Sequence, residues 1–312
     1  YTDLNQEYHK SVVAIGNFDG IHNGHKALIR KVVQLANQNA RLAGLITFTP
    51  HPRVFFSGEQ NFSQINDEVT KQDILSRQDL DILFKIKFNK QLSLMPPDVF
   101  FNHVLKNGIN VSHIIVGSDF KFGYKRSGNI EILKYLSKEN NIGFDVIEKQ
   151  ANSLSKPYSS SSIREYLLQG NIAEVNKMLG HYWYTMGVVI TGANKGNQIG
   201  YPTINIRLDG SIKFAHGIYA TNVYIDSKRY QGATYYGKRP TYEGTEEFLE
   251  TYIFDFNSNI YDHEVKIEFI DFVRYDQTYE SDNKLKNQMK IDCENVLIKL
   301  QYYDKKFSLL DK

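Results

Sequence analysis

His22 and His25 stand three residues apart in VVAIGNFDGIHNGHKALIRKVVQLA, residues 12–36, and are the side chains most plainly placed for chemistry. A β-branched run, Val12 to Ile15, breaks at Gly16 into Asn17-Phe18-Asp19-Gly20, and after His22 the residues Ala27, Leu28, Val32 and Leu35 recur at helical spacing. This predicts a strand, a tight loop and a helix start. A helix N-terminus carries unpaired N–H groups and a partial positive charge, so a phosphate is expected there, beside both imidazoles and the backbone of Gly16, Phe18, Asp19, Gly20 and Gly24. Imidazoles can donate hydrogen bonds to charge building on a phosphoryl oxygen, which permits nucleotidyl transfer without a covalent intermediate. Incidental surface or core histidines show the same spacing. A zinc site would need further ligands, and the one cysteine, Cys293, is far away in sequence.

Four other stretches carry usable side chains. Tyr158-Ser159-Ser160-Ser161-Ser162-Ile163-Arg164 opens a helix to Leu168. One serine suffices as a cap, whereas Ser160, Ser161 and Arg164 together make a second phosphate cradle of hydroxyls, free N–H groups and a guanidinium. In HIIVGSDFKFGYKRSGNIEIL a buried strand, Ile114 to Val116, leads through a glycine-rich loop to a helix from about Asn129. An ordinary strand-to-helix connection explains those glycines, while Asp119, Phe120 and Arg126 are candidates to orient a substrate, as is His51 between its two prolines. In TGANKGNQIGYPTINI the glycines 192, 196 and 200 lead into Pro202-Thr203-Ile204-Asn205, either a hairpin loop with an edge-strand proline or a backbone cradle over a triphosphate. In the second reading Gly192, Gly196, Gly200 and Pro202 line the phosphates, and Thr203 and Asn205 offer hard oxygens to magnesium. Last, Glu250 lies amid apolar and aromatic neighbours in FLETYIFDFNSNIYD: a solvated strand-face residue, or a general base for a primary hydroxyl attacking a γ-phosphate.

The elements that must hold these groups fall into two textures. After the first helix, Leu42 to Phe48 is a nearly continuous apolar run, as in a parallel strand covered on both faces. Asp67 to Leu83 reads as helical, Met95-Pro96-Pro97-Asp98 opens a helix over Val99 to Leu105, and Phe144 to Ile147 is a further strand. Strand, helix, strand is a right-handed crossover, and ligands of such sheets collect at the strands' carboxyl ends. From Tyr184 the pattern changes to strands and turns: Thr185–Ile190, Pro202–Leu208, Gly217–Ile225, Tyr230–Tyr235, Phe248–Phe256 and Val265–Val273, with Asp226-Ser227 as a hairpin turn. These predict a small closed or nearly closed barrel, followed by an amphipathic helix from about Ser281 to Leu300. The expected fold is therefore α/β plus β: a Rossmann-like domain with a parallel sheet over 1–181 and a β-barrel domain with a terminal helix over 182–312.

Composition sets limits on partners. Lys and Arg number 37 against 35 Asp and Glu, a net charge of +2, which gives no electrostatic case for nucleic acid or a polybasic membrane contact. No apolar run approaches the ~18 residues of a spanning helix, the start YTDLNQEYHK lacks the build of a signal peptide, and a single cysteine suits a reducing compartment. A cytoplasmic protein, monomeric or weakly self-associating, is expected. The 21 Tyr and 19 Phe suit either stacking platforms for a flat ligand or aromatic β cores.

The string GNFDGIHNGH resembles the G-x-F-D-G-x-H-x-G-H signature of the nucleotidyltransferase superfamily, in the form found in prokaryotic bifunctional riboflavin kinase/FAD synthetases. Gly117, Asp119, Phe120, Phe122, Gly123, Arg126 and Gly128 are similar to that family's second motif, and Ser159, Ser160, Ser161, Ile163 and Arg164 to its third. The blocks GYPTIN, GIY, GATYYGKRPTY, LETYIFDFNSNIY and FIDFVRY resemble its flavokinase module, so the similarity spans nearly the whole chain. The resemblance implies an enzyme with two ATP sites: phosphorylation of riboflavin to FMN in the barrel, and joining of FMN to AMP, giving FAD and pyrophosphate, in the amino-terminal domain. It assigns Thr203 and Asn205 to Mg-ATP, Glu250 to the kinase base, His22, His25 and Arg164 to catalysis of adenylyl transfer, and Tyr252 and Arg274 to orientation of flavin or substrate. Two positions depart from the family: Asn197, where arginine is frequent, and Tyr235, where asparagine is common.

Overall fold

The structure, a computed structural model, describes residues 8, 10–58, 61–149, 158–191, 200–208, 210–241 and 244–308, with the side chains of 239–246 and 305–308 left aside. Its contacts divide the chain into two units, Tyr1–Phe62 with Lys71–Ser159 and Ser63–Thr70 with Ser160–Lys312.

In the first unit, strands β1 (Val12–Ile15), β2 (Ala43–Thr49), β3 (Ile82–Lys87), β4 (His113–Gly117) and β5 (Gly143–Ile147) form one sheet in the order β3-β2-β1-β4-β5. Every pairing is parallel. All four residues of β1 are buried, as a central strand covered on both faces requires. Val13 and Ile15 pack with Ile114 and Val116 against Phe101, Val104, Leu105 and Leu133. Helix α1 (Asn23–Gln38) buries Leu28, Ile29, Val32 and Ala36 along its apolar stripe. The chain winds outward from β1 through β2 to β3, then returns to β4 beside β1 and continues to β5. Crossovers therefore leave β1 and β4 in opposite directions, and the loops beyond their carboxyl ends flank a crevice where such sheets bind ligands.

One element departs from expectation. The helix expected over Asp67 to Leu83 stops early: α3 spans Glu68–Ser76, and Ile82 starts β3. β3 alternates, burying Phe84 and Ile86 while Lys85 and Lys87 stay exposed, a pattern that suits the edge of a sheet and discourages further pairing. Its lysines share the charged texture of the preceding helix, which hides the change of period. After the short helices α2 (Pro52–Ser57) and α4 (Lys90–Ser93), α5 (Pro97–Phe100) starts at a proline as expected and continues as a π-helical stretch, Phe101–Ile109. α6 (Ile130–Glu139) is capped by the Asn129 side chain, which accepts from the Ile132 N–H.

The second unit opens with α7 (Ser160–Leu168) and α8 (Ile172–Leu179) and closes with α9 (Asp282–Ser308). Between them β6 (Trp183–Ile190), β7 (Thr203–Arg207), β8 (Gly217–Ile225), β9 (Lys228–Thr241), β10 (Gly244–Ile253) and β11 (Glu264–Tyr275) close a barrel in the order β10-β7-β6-β11-β8-β9. Asp226 and Ser227 both have positive φ, 47° and 67°, the two-residue turn whose twist matches a hairpin. Aromatics fill the interior: Trp183 packs on Phe269 at 4.6 Å and Phe214 stacks on Tyr236 at 3.6 Å. Three fully buried threonines, Thr221, Thr234 and Thr251, bond to one another through their hydroxyls. The texture changes near 182, yet α7, α8 and residues 63–70 cluster with the barrel. Side chains show why: Asn176 of α8 donates to the Phe269 carbonyl and accepts from the Trp183 N–H, and the Trp183 indole donates to the Ile65 carbonyl.

Two candidate catalytic centres

The loop after β1 brings His22 and His25 together. His22 is the N-cap of α1, its Nδ1 accepting from the His25 N–H at 3.3 Å, so an imidazole occupies the place usually taken by a short polar side chain. The two rings stack, centroids 3.8 Å apart and planes 17° from parallel, over the buried Phe18 ring at 5.1 Å from His25. Left-handed backbone at Phe18, Gly20 and Ile21 makes this tight return possible. Gly24 has a specific role, since a Cβ there would lie 3.0 Å from the His22 ring. Asp19 is buried in the same turn, and Gly16 joins it to β1. Burial first, then the neighbouring His22 and Lys71, hold the His25 imidazole well below its usual range, so it is neutral near pH 7. Its Nδ1 is buried and has no hydrogen-bond partner among the described residues. Stacked imidazoles at a helix N-terminus can donate to an incoming anion without being a permanent cation.

The other expected residues of this unit are placed as follows. His51 is the N-cap of α2, its Nδ1 accepting from the Arg53 N–H at 3.1 Å, with its ring stacked on Phe62 at 4.7 Å. Asp119 follows β4 and pairs with Lys149 at 3.0 Å, its side chain largely exposed. Phe120 stacks on Phe122, and Arg126 is exposed with φ 58°. Lys71 escapes a reading of the sequence, although it is buried and within the electrostatic reach of His25. A signal existed: Lys71, Ile74 and Leu75 share one buried face of α3, so a lysine stands where the stripe calls for an apolar residue.

In the second unit α7 begins at Ser160, which puts Ser160 and Ser161 in a first turn whose N–H groups lack intrahelical partners. Arg164 donates its Nε to the Ser63 carbonyl at 2.6 Å. On the barrel the register does the assembling. β10 buries Leu249, Thr251 and Ile253 and turns Glu250 and Tyr252 to the opposite face. Across β7, Asn205 stands opposite Glu250 and Thr203 opposite Tyr252; across β9, Tyr235 stands opposite Glu250. The Thr203 hydroxyl donates to Glu250 Oε1 at 2.6 Å, and Asn205 is nearly buried. Thr203, Asn205 and Glu250 thus form a cluster of hard oxygens. Among the described residues no group of three or more His, Cys, Asp or Glu could hold a metal ion.

Around this cluster, Tyr252 packs edge-on against Tyr201 at 5.2 Å. Tyr235 donates to Asp276 at 3.0 Å; burial and that carboxylate push its phenol well above the usual range. Arg274 grips Asp292 of α9 with two hydrogen bonds, 2.8 and 2.6 Å, tying β11 to the final helix. Gly200 has φ 90° with open space around it, and Pro202 is exposed. Gly192, Gly196 and Asn197 lie outside the described residues.

Comparison with known proteins finds two family models along the chain. The FAD synthetase family model matches residues 4–162 and the riboflavin kinase model residues 179–300. A bifunctional riboflavin kinase/FMN adenylyltransferase of Buchnera aphidicola subsp. Schizaphis graminum is 33% identical over 92% of this chain and 93% of its own. This chain belongs to the bifunctional riboflavin kinase/FMN adenylyltransferase family. The family member of Haemophilus influenzae is 34% identical over 90% of this chain and 92% of its own. A solved structure described as a macrolide-efflux protein from Streptococcus pneumoniae shares 30% identity at a TM-score of 0.81, covering 92% of this chain and 93% of that one. No helix among the described residues of this family member is long and apolar enough to cross a membrane.

Proposed function

We propose that this chain makes FAD in two steps divided between its units: phosphorylation of riboflavin to FMN on the barrel, and adenylylation of FMN, with release of pyrophosphate, at the His22–His25 loop. The observation that carries the division is the separation of the two residue sets, the imidazole stack in the first unit and the Thr203–Glu250 hydrogen bond in the second.

In the kinase step Glu250 takes the proton from the terminal ribityl hydroxyl as its oxygen attacks the γ-phosphorus, and ADP leaves. Thr203 and Asn205 fit a magnesium ion that keeps several ligands from water and phosphate, because they offer few, neutral, hard oxygens. When bound, that ion supplies charge neutralisation to the phosphates. Gly200 and Pro202 bind the phosphates, and Tyr252 and Arg274 orient the flavin, Arg274 by anchoring α9. In the adenylyl step the FMN phosphate attacks the α-phosphorus of a second ATP while His22 and His25 donate hydrogen bonds to the charge that develops. Asp119, Phe120, Arg126 and His51 have orienting roles. No protein nucleophile is needed.

The test is chromatography of flavins after incubation of the full chain with riboflavin and Mg-ATP, then with FMN and Mg-ATP. Both FMN and FAD should form from riboflavin. Glu250→Gln should block the first reaction and spare the second, and His22→Ala the reverse; joint loss in either variant, with the fold intact, would defeat the two-centre assignment.

A further inference from the structure

Lys71 is only 8% exposed, on the face of α3 that also buries Ile74 and Leu75. An ammonium taken out of water is costly unless hydrogen bonds replace its hydration. Lys71 Nζ donates to the Asn17 carbonyl at 2.8 Å and to the Thr47 hydroxyl at 2.8 Å, and the Thr47 hydroxyl in turn donates to the same carbonyl at 3.1 Å. This closed triangle pins the first residue of the turn that ends in His22 to the buried face of β2. Fixing one carbonyl needs only the neutral hydroxyl. A buried lysine adds what threonine lacks, an ammonium group.

We propose that Lys71 is a positioning residue for adenylyl transfer, clamping the loop from Asn17 to His22 and setting a fixed positive charge beside the His22–His25 stack, where it attracts the triphosphate. It acts through Asn17 and the imidazoles. Its charge also opposes protonation of His25, as does His22 in the same loop, so the anion meets an ammonium group beside a neutral donor. The proposal rests on the assignment of His22 and His25 to adenylyl transfer.

The experiment uses the full chain, with riboflavin phosphorylation as an internal control of folding. Lys71→Met should lower kcat/KM for ATP in FMN adenylylation by roughly 10- to 100-fold, the scale of a unit charge several ångströms away in a partly buried site, and leave phosphorylation of riboflavin unchanged. Lys71→Arg should restore most of the loss. Thr47→Val, which removes the hydroxyl and its bonds to Lys71 and Asn17 but keeps the charge, should cost clearly less than Lys71→Met. Titration of the His25 ring resonance by NMR should show a higher midpoint in Lys71→Met than in the parent and no such rise in Thr47→Val. Undiminished adenylylation in Lys71→Met, equal damage from Thr47→Val, or a loss of rate with the His25 titration unmoved would each overturn the proposal. His25→Ala separates the layers: an inactive His25→Ala beside a fully active Lys71→Met removes only the role of Lys71, whereas a fully active His25→Ala removes the assignment beneath it.

Discussion

The two centres are built on opposite plans. The imidazole pair comes from one continuous stretch in which strand, turn and helix cap each fix the next, and its groups are neighbours in sequence as in space. The Glu250 cluster is made by register: residues 203, 205, 235 and 250 meet only because β10 pairs with β7 on one side and β9 on the other. A slip of one residue in β10 would send Glu250 to the interior positions held by Leu249 and Thr251. A local site tolerates change elsewhere in the fold, whereas a register site depends on every turn that sets its strands, here including the Asp226-Ser227 hairpin.

The strongest way to break this comparison is to remove the one carboxylate on which the barrel centre relies. Glu250→Gln keeps the shape and the oxygen that accepts from Thr203 but removes the base, so riboflavin phosphorylation should fall by roughly 10²- to 10⁴-fold. Rates of FMN formation at saturating riboflavin measure this directly. If they stay within a few fold of the parent, proton transfer to Glu250 does not limit the reaction. The local centre shares its load between two rings, so His25→Ala should lower FMN adenylylation by about 10²- to 10³-fold, the usual effect of one preorganised donor. His22→Ala should be the more damaging, because it also removes the cap of α1 and the ring on which His25 stacks. Equal kinetics for the two variants would show that the cap contributes nothing.

The same contrast explains what could be read from residue order alone. The local centre was legible because His22 caps the helix that the spacing of Leu28 and Val32 predicts, and the barrel was legible from alternation such as Val265, Ile267 and Phe269. The pairing of Glu250 with Asn205 and Tyr235 was not, since alternation says which face a residue takes and nothing of its partner across the ladder. Lys71 was missed for a related reason: its helix merged in texture with β3, and only burial shows that its charge points inward. The many aromatics, open in sequence to either reading, are largely core in the barrel, with Trp183, Tyr219, Tyr236 and Phe269 fully buried.

Tyr235 sharpens the comparison at smaller scale. It stands opposite Glu250 but spends its hydroxyl on Asp276, so it is expected to brace the barrel centre without joining the reaction. Tyr235→Phe should change riboflavin phosphorylation by about 2- to 10-fold, the scale of one hydrogen bond, mostly through the KM for riboflavin. A loss as large as that of Glu250→Gln would place the phenol in the proton path instead.

The smallest expected effect is a slope. His25 titrates in the folded chain below the 6.5 of an ordinary imidazole, so between those two values the unfolded chain binds more protons than the native state. The sign follows: the contribution is fully present above the ordinary value and is lost as pH falls from there toward the folded one. Denaturant midpoints of the first unit, followed by a probe within it, should therefore drop between pH 7 and pH 5.5 more steeply in the parent than in His25→Asn, which cannot titrate. Bound ATP should flatten the parent's slope, because a nearby anion raises the imidazole again. Glu250→Gln, which leaves the burial of His25 and its neighbours His22 and Lys71 untouched, should leave that slope as it was, and a changed slope there would mean that other groups set the His25 titration.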